Sequence, residues 1–228
     1  MKSRSRDLFK ISASIICGKP LDLISDLRLL KKAGVEYLHF DVMDRHFVPR
    51  LGLYPEVLKE IKKVCQIPVL VHLMVSEPVE VIEDFVQAGA DVISVHAESN
   101  RFEEAIEILK KSKVRVGIAL KPKTSLKVIR GLINRIDLVL IMAIEPGILG
   151  QKMVPGTIKK IKRTKLLIED RDVLIEVDGG VNFKTSPLMV RAGANVLVCG
   201  TSTIYQQKLA LDKQVLKYRK VIKKKLDN

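Results

Sequence analysis

KKAGVEYLHFD (residues 31–41), VQAGADVISVH (86–96) and VRAGANVLVCG (190–200) are three copies of one design. Each closes a helical stretch on Ala-Gly, turns within a few residues, runs into an apolar strand and ends on a polar residue or a glycine. Glycine stops a helix because it takes up the left-handed backbone without the steric penalty a Cβ brings. The unit is therefore a helix followed by a strand.

Working outward, strand-like runs recur as ISASI (11–15), EYLHFDV (36–42), PVLVHLMV (68–75), DVISVHA (91–97), VRVGIAL (114–120), DLVLIMAI (137–144), VLIEVD (173–178) and NVLVCG (195–200). Most of their residues are apolar rather than strictly alternating, the pattern of parallel strands covered by helices. Between them, 21–34, 79–89 and 101–112 place apolar residues at helical spacing, and a helix from about 205 to 226 is expected to close the structure from outside. A strand-plus-helix unit repeated eight times closes either as a barrel or as a doubly wound open sheet. The count, the lack of a Gly-rich dinucleotide fingerprint after the first strand, and functional residue types at many strand ends favour a (β/α)8 barrel. The 228 residues suit one such domain spanning 1–228.

Hydrophobic residues make up 47% and charged residues 29% of the chain, an ordinary globular balance. No apolar run is long enough to span a bilayer, and the start, MKSRSRDLFKISASIICG, is too broken by serines for a secretory signal. Cys17, Cys65 and Cys199 are odd in number and widely spaced, which fits a reducing, cytoplasmic setting; Cys65 and Cys199 read as small buried residues. The net charge of +14 favours anionic partners. Its densest run, Lys217, Arg219, Lys220, Lys223, Lys224 and Lys225, reads as the solvated face of the last helix. With no Trp, 4% aromatics and no recognisable motif, nucleic acid is not indicated.

Alternation along EYLHFDVMD puts His39, Asp41 and Met43 on one face and Leu38, Phe40 and Val42 on the other. His72 in VHLM and Asp178 in EVDGG reach the same height. Two imidazoles and two carboxylates so arranged suit a single divalent ion of the Zn, Fe, Mn or Co type better than Ca or Mg. One such residue alone would read as a hydrogen-bonded core histidine or a helix cap; four at one barrel end read as a site. His96, which ends the fourth strand, is a candidate fifth polar contact but stands alone, and His46 carries no inference. The glycine-bearing loops EPGILGQ (145–151), DGG (178–180) and CGTST (199–203) follow the last three strands, where barrels cradle phosphate.

On SASI (12–15), HFDVMDRHFVP (39–49), PVLVHLMVSEP (68–78), AGADVISVHAE (88–98), LVLIMAIEPGILGQKM (138–153), EVDGGV (176–181) and AGANVLVCGTS (192–202), the chain resembles the ribulose-phosphate 3-epimerase family from Ile11 to about Tyr205. The resemblance implies that His39, Asp41, His72 and Asp178 bind one divalent metal and that Asp41 and Asp178 form the acid/base pair. By the same resemblance, Ser14 and His72 contact substrate and Met43, Met74 and Met142 line the site. Gly147, Ile148, Leu149, Gly150, Gly179, Gly180, Gly200 and Thr201 would hold the phosphate. No organic cofactor is implied, and a homo-oligomer is expected. The implied reaction moves a proton at C3 of a ketose phosphate, D-ribulose 5-phosphate first and D-allulose 6-phosphate as the alternative. Barrel synthases and decarboxylases of similar architecture carry a lysine in an Asp-x-Lys pair, whereas Asp41-Val42-Met43 has none. Arg45 and Arg50 stand where the family has glycine and asparagine; Ile148 and Leu149 replace an aromatic and a glycine; Thr201-Ser202 replaces Ser-Ala. These departures bear on which sugar is taken.

Overall fold

The computed structural model describes residues 8–148, 150–206 and 208–227; Leu149 and the basic start of the chain lie outside the described residues. Eight parallel strands are found among the described residues. They are β1 (Lys10–Ser14), β2 (Tyr37–Met43), β3 (Val69–Met74), β4 (Val92–His96), β5 (Arg115–Leu120), β6 (Leu138–Met142), β7 (Leu174–Asp178) and β8 (Val196–Cys199). Each pairs with the next, and β1 pairs with β8, so the sheet is a closed barrel. The expected strands are met within one or two residues.

Helices α1 (Leu23–Lys32), α2 (Pro55–Val64), α3 (Ile82–Gln87), α4 (Phe102–Lys111), α5 (Lys127–Arg130), α6 (Thr157–Ile168), α7 (Ser186–Arg191) and α8 (Leu211–Asp227) follow the strands in turn. In α4 the buried residues Phe102, Ala105, Ile106 and Leu109 fall at three- and four-residue spacing and form the stripe that meets the sheet. Pro55 opens α2, where its missing N–H has no helical partner to lose.

Outward-facing strand residues such as Leu38, Phe40, Val71 and Leu73 form the main core with the helices. Phe40 is fully buried against Phe85 of α3, their ring centroids 6.1 Å apart. Each such buried side chain stabilises the fold by roughly 1.5–3 kcal/mol. The barrel interior holds two sets of side chains. Leu70, Val92, Leu138, Leu140, Leu174 and Val196 belong to an apolar cluster. Ser14, His39, Asp41, His72, Ser94, His96 and Glu176 are polar and buried.

The last helix begins at Leu211, later than the expected 205. Residues 201–204 instead form a tight turn after β8, where the Gly200 carbonyl accepts the N–H groups of Thr203, Ile204 and Tyr205. Gln214 of α8 then ties this turn down by donating to the Thr203 carbonyl at 3.0 Å. Tyr218 of α8 is fully buried, shares a 2.6 Å hydrogen bond with Ser186 and packs edge-on to Phe9 and Phe183. The helix thereby closes the barrel where β1 meets β8.

Candidate active site

Strand register brings the four expected ligands together. Asp41 of β2 is the neighbour of His72 on β3, and Met43 the neighbour of Met74. Ser14 of β1 sits beside His39, and Asp178 of β7 beside Met142 of β6. One ligand atom from each of His39, Asp41, His72 and Asp178 lies within 4.8 Å of the others. His39 Nε2 is 3.1 Å from Asp41 Oδ1 and 3.9 Å from Asp178 Oδ2. His72 Nδ1 is 3.5 Å and 3.8 Å from the same two oxygens. At none of these approaches does the geometry make a hydrogen bond, and both nitrogens are buried without a partner. Two bare imidazole nitrogens facing two carboxylates are the signature of a place built for a cation. The nitrogen and oxygen donor set fits a borderline divalent ion.

The electrostatics make the same demand. Burial opposes ionisation of Asp41, but the His39 and His72 imidazoles outweigh it and hold the carboxyl far below the usual range. Burial raises Asp178, with the Asp41 and Glu176 charges adding to it and the two histidines opposing. His39 is held well above its ordinary value: burial opposes this, and the charges of Asp41 and Glu176 overcome it. Negative charge is in excess here, and a cation among the four side chains would balance it.

Above this cluster opens a cleft of about 500 Å³. Ser14, Asp41, Asp178 and the three methionines Met43, Met74 and Met142 line it, with Gly147, Ile148, Gly150, Gly179, Gly180, Gly200 and Thr201 from the three loops. His39 and His72 lie beneath its floor, 0% and 1% exposed. Ser14 Oγ donates to Asp41 Oδ2 at 3.0 Å. Gln151 braces the first loop by donating to the Glu145 and Ile148 carbonyls. Gly179 has φ +85°, and a Cβ there would overlap Ile144, so this turn needs glycine on both counts.

The two unexpected arginines separate. Arg50 lines the cleft together with Lys152, a cationic pair suited to a phosphorylated ligand. Arg45 is exposed, does not line the cleft, and sits at φ 65°. Its left-handed backbone accounts for a glycine at that place in the family pattern. The turn is held regardless, since Asp44 accepts N–H bonds from His46, Phe47 and Ser76 at 2.7 Å each.

Sequence reasoning missed Glu176. It is fully buried, and its Oε1 lies 3.2 Å from His39 Nδ1, fixing that ring from behind. The signal was available: Glu176 stands two residues before Asp178 on one strand, so both face inward. His96 is not isolated either, because its Nε2 meets His72 Nε2 at 2.9 Å. Lys152, Asn182 and Thr185 of the cleft wall carried no signal in the sequence, since single polar residues in loops have no periodicity to place them.

Comparison with known proteins places the chain in a family. The model of the ribulose-phosphate 3 epimerase family matches residues 10–205. A ribulose-phosphate 3-epimerase from Bacillus subtilis is 40% identical over 204 residues, 88% of this chain and 94% of its own. One from Methanocaldococcus jannaschii is 37% identical over 198 residues, 86% and 84% of the two chains. Among solved structures, a mutant tryptophan synthase alpha-subunit from Pyrococcus furiosus aligns with a TM-score of 0.70 at 14% identity, covering 96% of this chain and 98% of its own. A 3-hexulose-6-phosphate synthase aligns at 0.63 with 18% identity, covering 93% and 99%. At such identities these structures speak for the fold alone.

Proposed function

The chain belongs to the ribulose-phosphate 3-epimerase family and is an isomerase, and from that premise we propose that it interconverts D-ribulose 5-phosphate and D-xylulose 5-phosphate by two-base proton transfer at C3. The observation that carries this reading is the placement of Asp41 and Asp178 on separate strands, both facing one cleft and both beside the same pair of bare histidine nitrogens.

Inverting C3 takes a proton from one face and returns one to the other. Two groups are therefore needed, one on each side of a planar enediolate. Asp41 on β2 and Asp178 on β7 are suited to straddle it, one carboxylate accepting the C3 proton while the other carboxyl donates. A proton beside a carbonyl is too weak an acid for a carboxylate alone. A divalent ion held by His39, Asp41, His72 and Asp178 would supply Lewis-acid stabilisation of the charge that develops on the neighbouring oxygens. Ser14 fixes the rotamer of Asp41 through its 3.0 Å hydrogen bond. The methionines Met43, Met74 and Met142 form an apolar wall that keeps water from the enediolate. The loops at Gly147–Gly150, Gly179–Gly180 and Gly200–Thr201, with Arg50 and Lys152, would hold the phosphate.

The test is to assay purified protein with D-ribulose 5-phosphate and Zn, Fe, Mn or Co for formation of D-xylulose 5-phosphate. No turnover with any of them refutes the proposal. Arg50 in the cleft wall motivates a second reading, preference for a longer ketose phosphate such as D-allulose 6-phosphate. A higher kcat/KM for the six-carbon substrate would establish it.

A further inference from the structure

A line of hydrogen bonds runs from the ligand cluster away from the cleft. His72 turns Nδ1 toward Asp41 and Asp178 and Nε2 toward His96, with the two Nε2 atoms 2.9 Å apart. Two imidazole nitrogens at that distance share one proton, so one ring donates and the other accepts. His96 Nδ1 in turn lies 2.9 Å from Glu98 Oε2. An ionised carboxylate only accepts, so His96 Nδ1 must be the donor there. A neutral His96 then has a bare Nε2, and the shared proton belongs to His72.

Both premises hold in this structure. His96 is fully buried, and burial disfavours a charged imidazole, so the ring is neutral. Burial works against the charge of Glu98, but its bonds to His96, Thr124 and the Lys121 N–H hold it at about 2, which keeps it ionised. Glu98 cannot rotate freely, because its Oε1 accepts both the Lys121 N–H at 2.9 Å and the Thr124 hydroxyl. The Phe47 ring covers His96 at 4.8 Å between centroids, and His96 is 0% exposed, so water does not compete for its nitrogens.

We infer that Glu98 and His96 are a positioning pair that sets the tautomer of His72, placing its proton on Nε2 and leaving the Nδ1 lone pair aimed at the Asp41–Asp178 cluster. The inference rests on the metal reading of that cluster. Metal-bound histidines characteristically donate their other ring N–H to a fixed acceptor, and loss of that acceptor weakens metal binding about 10- to 100-fold. Here the acceptor is another histidine, so the carboxylate that fixes it acts one ring further out.

Glu98→Gln makes the inference testable. The two donors on Oε1 hold the amide oxygen in that place and turn the NH2 toward His96 Nδ1. His96 must then accept on Nδ1 and carry its proton on Nε2, and His72 must carry its own on Nδ1, where a metal would bind. With four histidines in the chain, long-range 1H–15N spectra of the metal-free protein distinguish the tautomers. Wild type is expected to show His96 protonated on Nδ1, and Glu98→Gln to show it on Nε2. Affinity for Zn, Mn or Co, measured by chelator competition, is expected to fall about 10- to 100-fold in Glu98→Gln. His96→Phe, which keeps the aromatic stack on Phe47 but removes the acceptor, should fall likewise, and it serves if the first variant does not melt cooperatively. Wild-type His96 protonated on Nε2 overturns the inference, as does unchanged affinity in the folded variants. A wild type that binds none of the ions overturns the metal reading instead, and a wild type that binds one keeps the two failures apart.

Discussion

Asp41 and Asp178 face the same cleft but carry unequal surroundings. Asp41 accepts from Ser14 and has His39 Nε2 at 3.1 Å, whereas Asp178 stands 3.9 Å and 3.8 Å from His39 and His72, accepts no side-chain hydrogen bond among the described residues and is raised by burial. If they are the two bases, Asp41→Asn and Asp178→Asn should each lower kcat by about 10²- to 10⁴-fold, the usual worth of a positioned acid or base. Metal content measured on the same samples separates loss of a base from loss of a ligand. A variant that keeps its metal and turns over within threefold of wild type would remove that residue from the pair. A third residue, Lys160, gives a pH signature clear of the cluster. Its ammonium donates to the Lys121 carbonyl at 2.6 Å, and burial pushes it down to about 8 from 10.5, with the Glu98 charge opposing. The folded chain thus releases this proton earlier than the unfolded one. The cost of holding the charge is full below about pH 8 and gone above about 10.5, so stability from this residue rises between them. In urea unfolding, the advantage of wild type over Lys160→Met should grow from pH 7.5 to pH 10. A constant difference would mean that Lys160 titrates as in water.

At the scale of elements, the loops after β6, β7 and β8 make the cleft, and their glycines are unequal. Gly179 combines φ +85° with a Cβ position inside Ile144, while Gly200 has an ordinary φ and meets only Cys17 Sγ at 3.1 Å. Gly179→Ala is therefore expected to destabilise by about 2–4 kcal/mol, from overpacking and left-handed strain together. Gly200→Ala should cost less, because a thiol on a single χ1 can swing aside. Thermal melts of both variants check the order, and equal losses would show that the β6–β7 loops simply shift to admit a methyl. The contrast was not visible in the sequence, where GG and CGT both read as turns. What was visible follows from periodicity. The Ala-Gly-to-strand repeat placed β2, β4 and β8, and alternation put His39, Asp41 and Met43 on one face. Glu176 has the parity of Asp178, but parity does not name the histidine it meets, which lies on another strand. His96 was visible, but its partner was not: contact with His72 depends on neighbouring strands and their register, which a single run does not encode. The late start of α8 depends on three N–H groups converging on one carbonyl, a feature of backbone path rather than residue type.

For the whole molecule, the His39, Asp41, His72 and Asp178 cluster draws on parts of the barrel that are far apart in the chain. His39 and Asp41 come from β2, His72 from β3 and Asp178 from β7, and between β7 and β2 lie β8 and β1, where the barrel closes. An ion bound to all four residues joins strands on both sides of that closure. Unfolding must break this clamp, so a metal that binds only the folded chain stabilises it by RT ln(1 + [M]/Kd), about 2.7 kcal/mol at a hundredfold excess over Kd. For a domain of this size, 1 kcal/mol moves the melting temperature by about 2–4 °C, so the expected rise is roughly 5–11 °C. Zn, Mn or Co added to chelator-treated protein should produce it, and chelator should reverse it. His39→Ala, which removes one ligand and leaves the Glu176 carboxylate without its partner, should lose the response. A rise that persists in His39→Ala would place the stabilising ion outside the cluster, and no rise in wild type would show that the four residues hold no metal in the folded state.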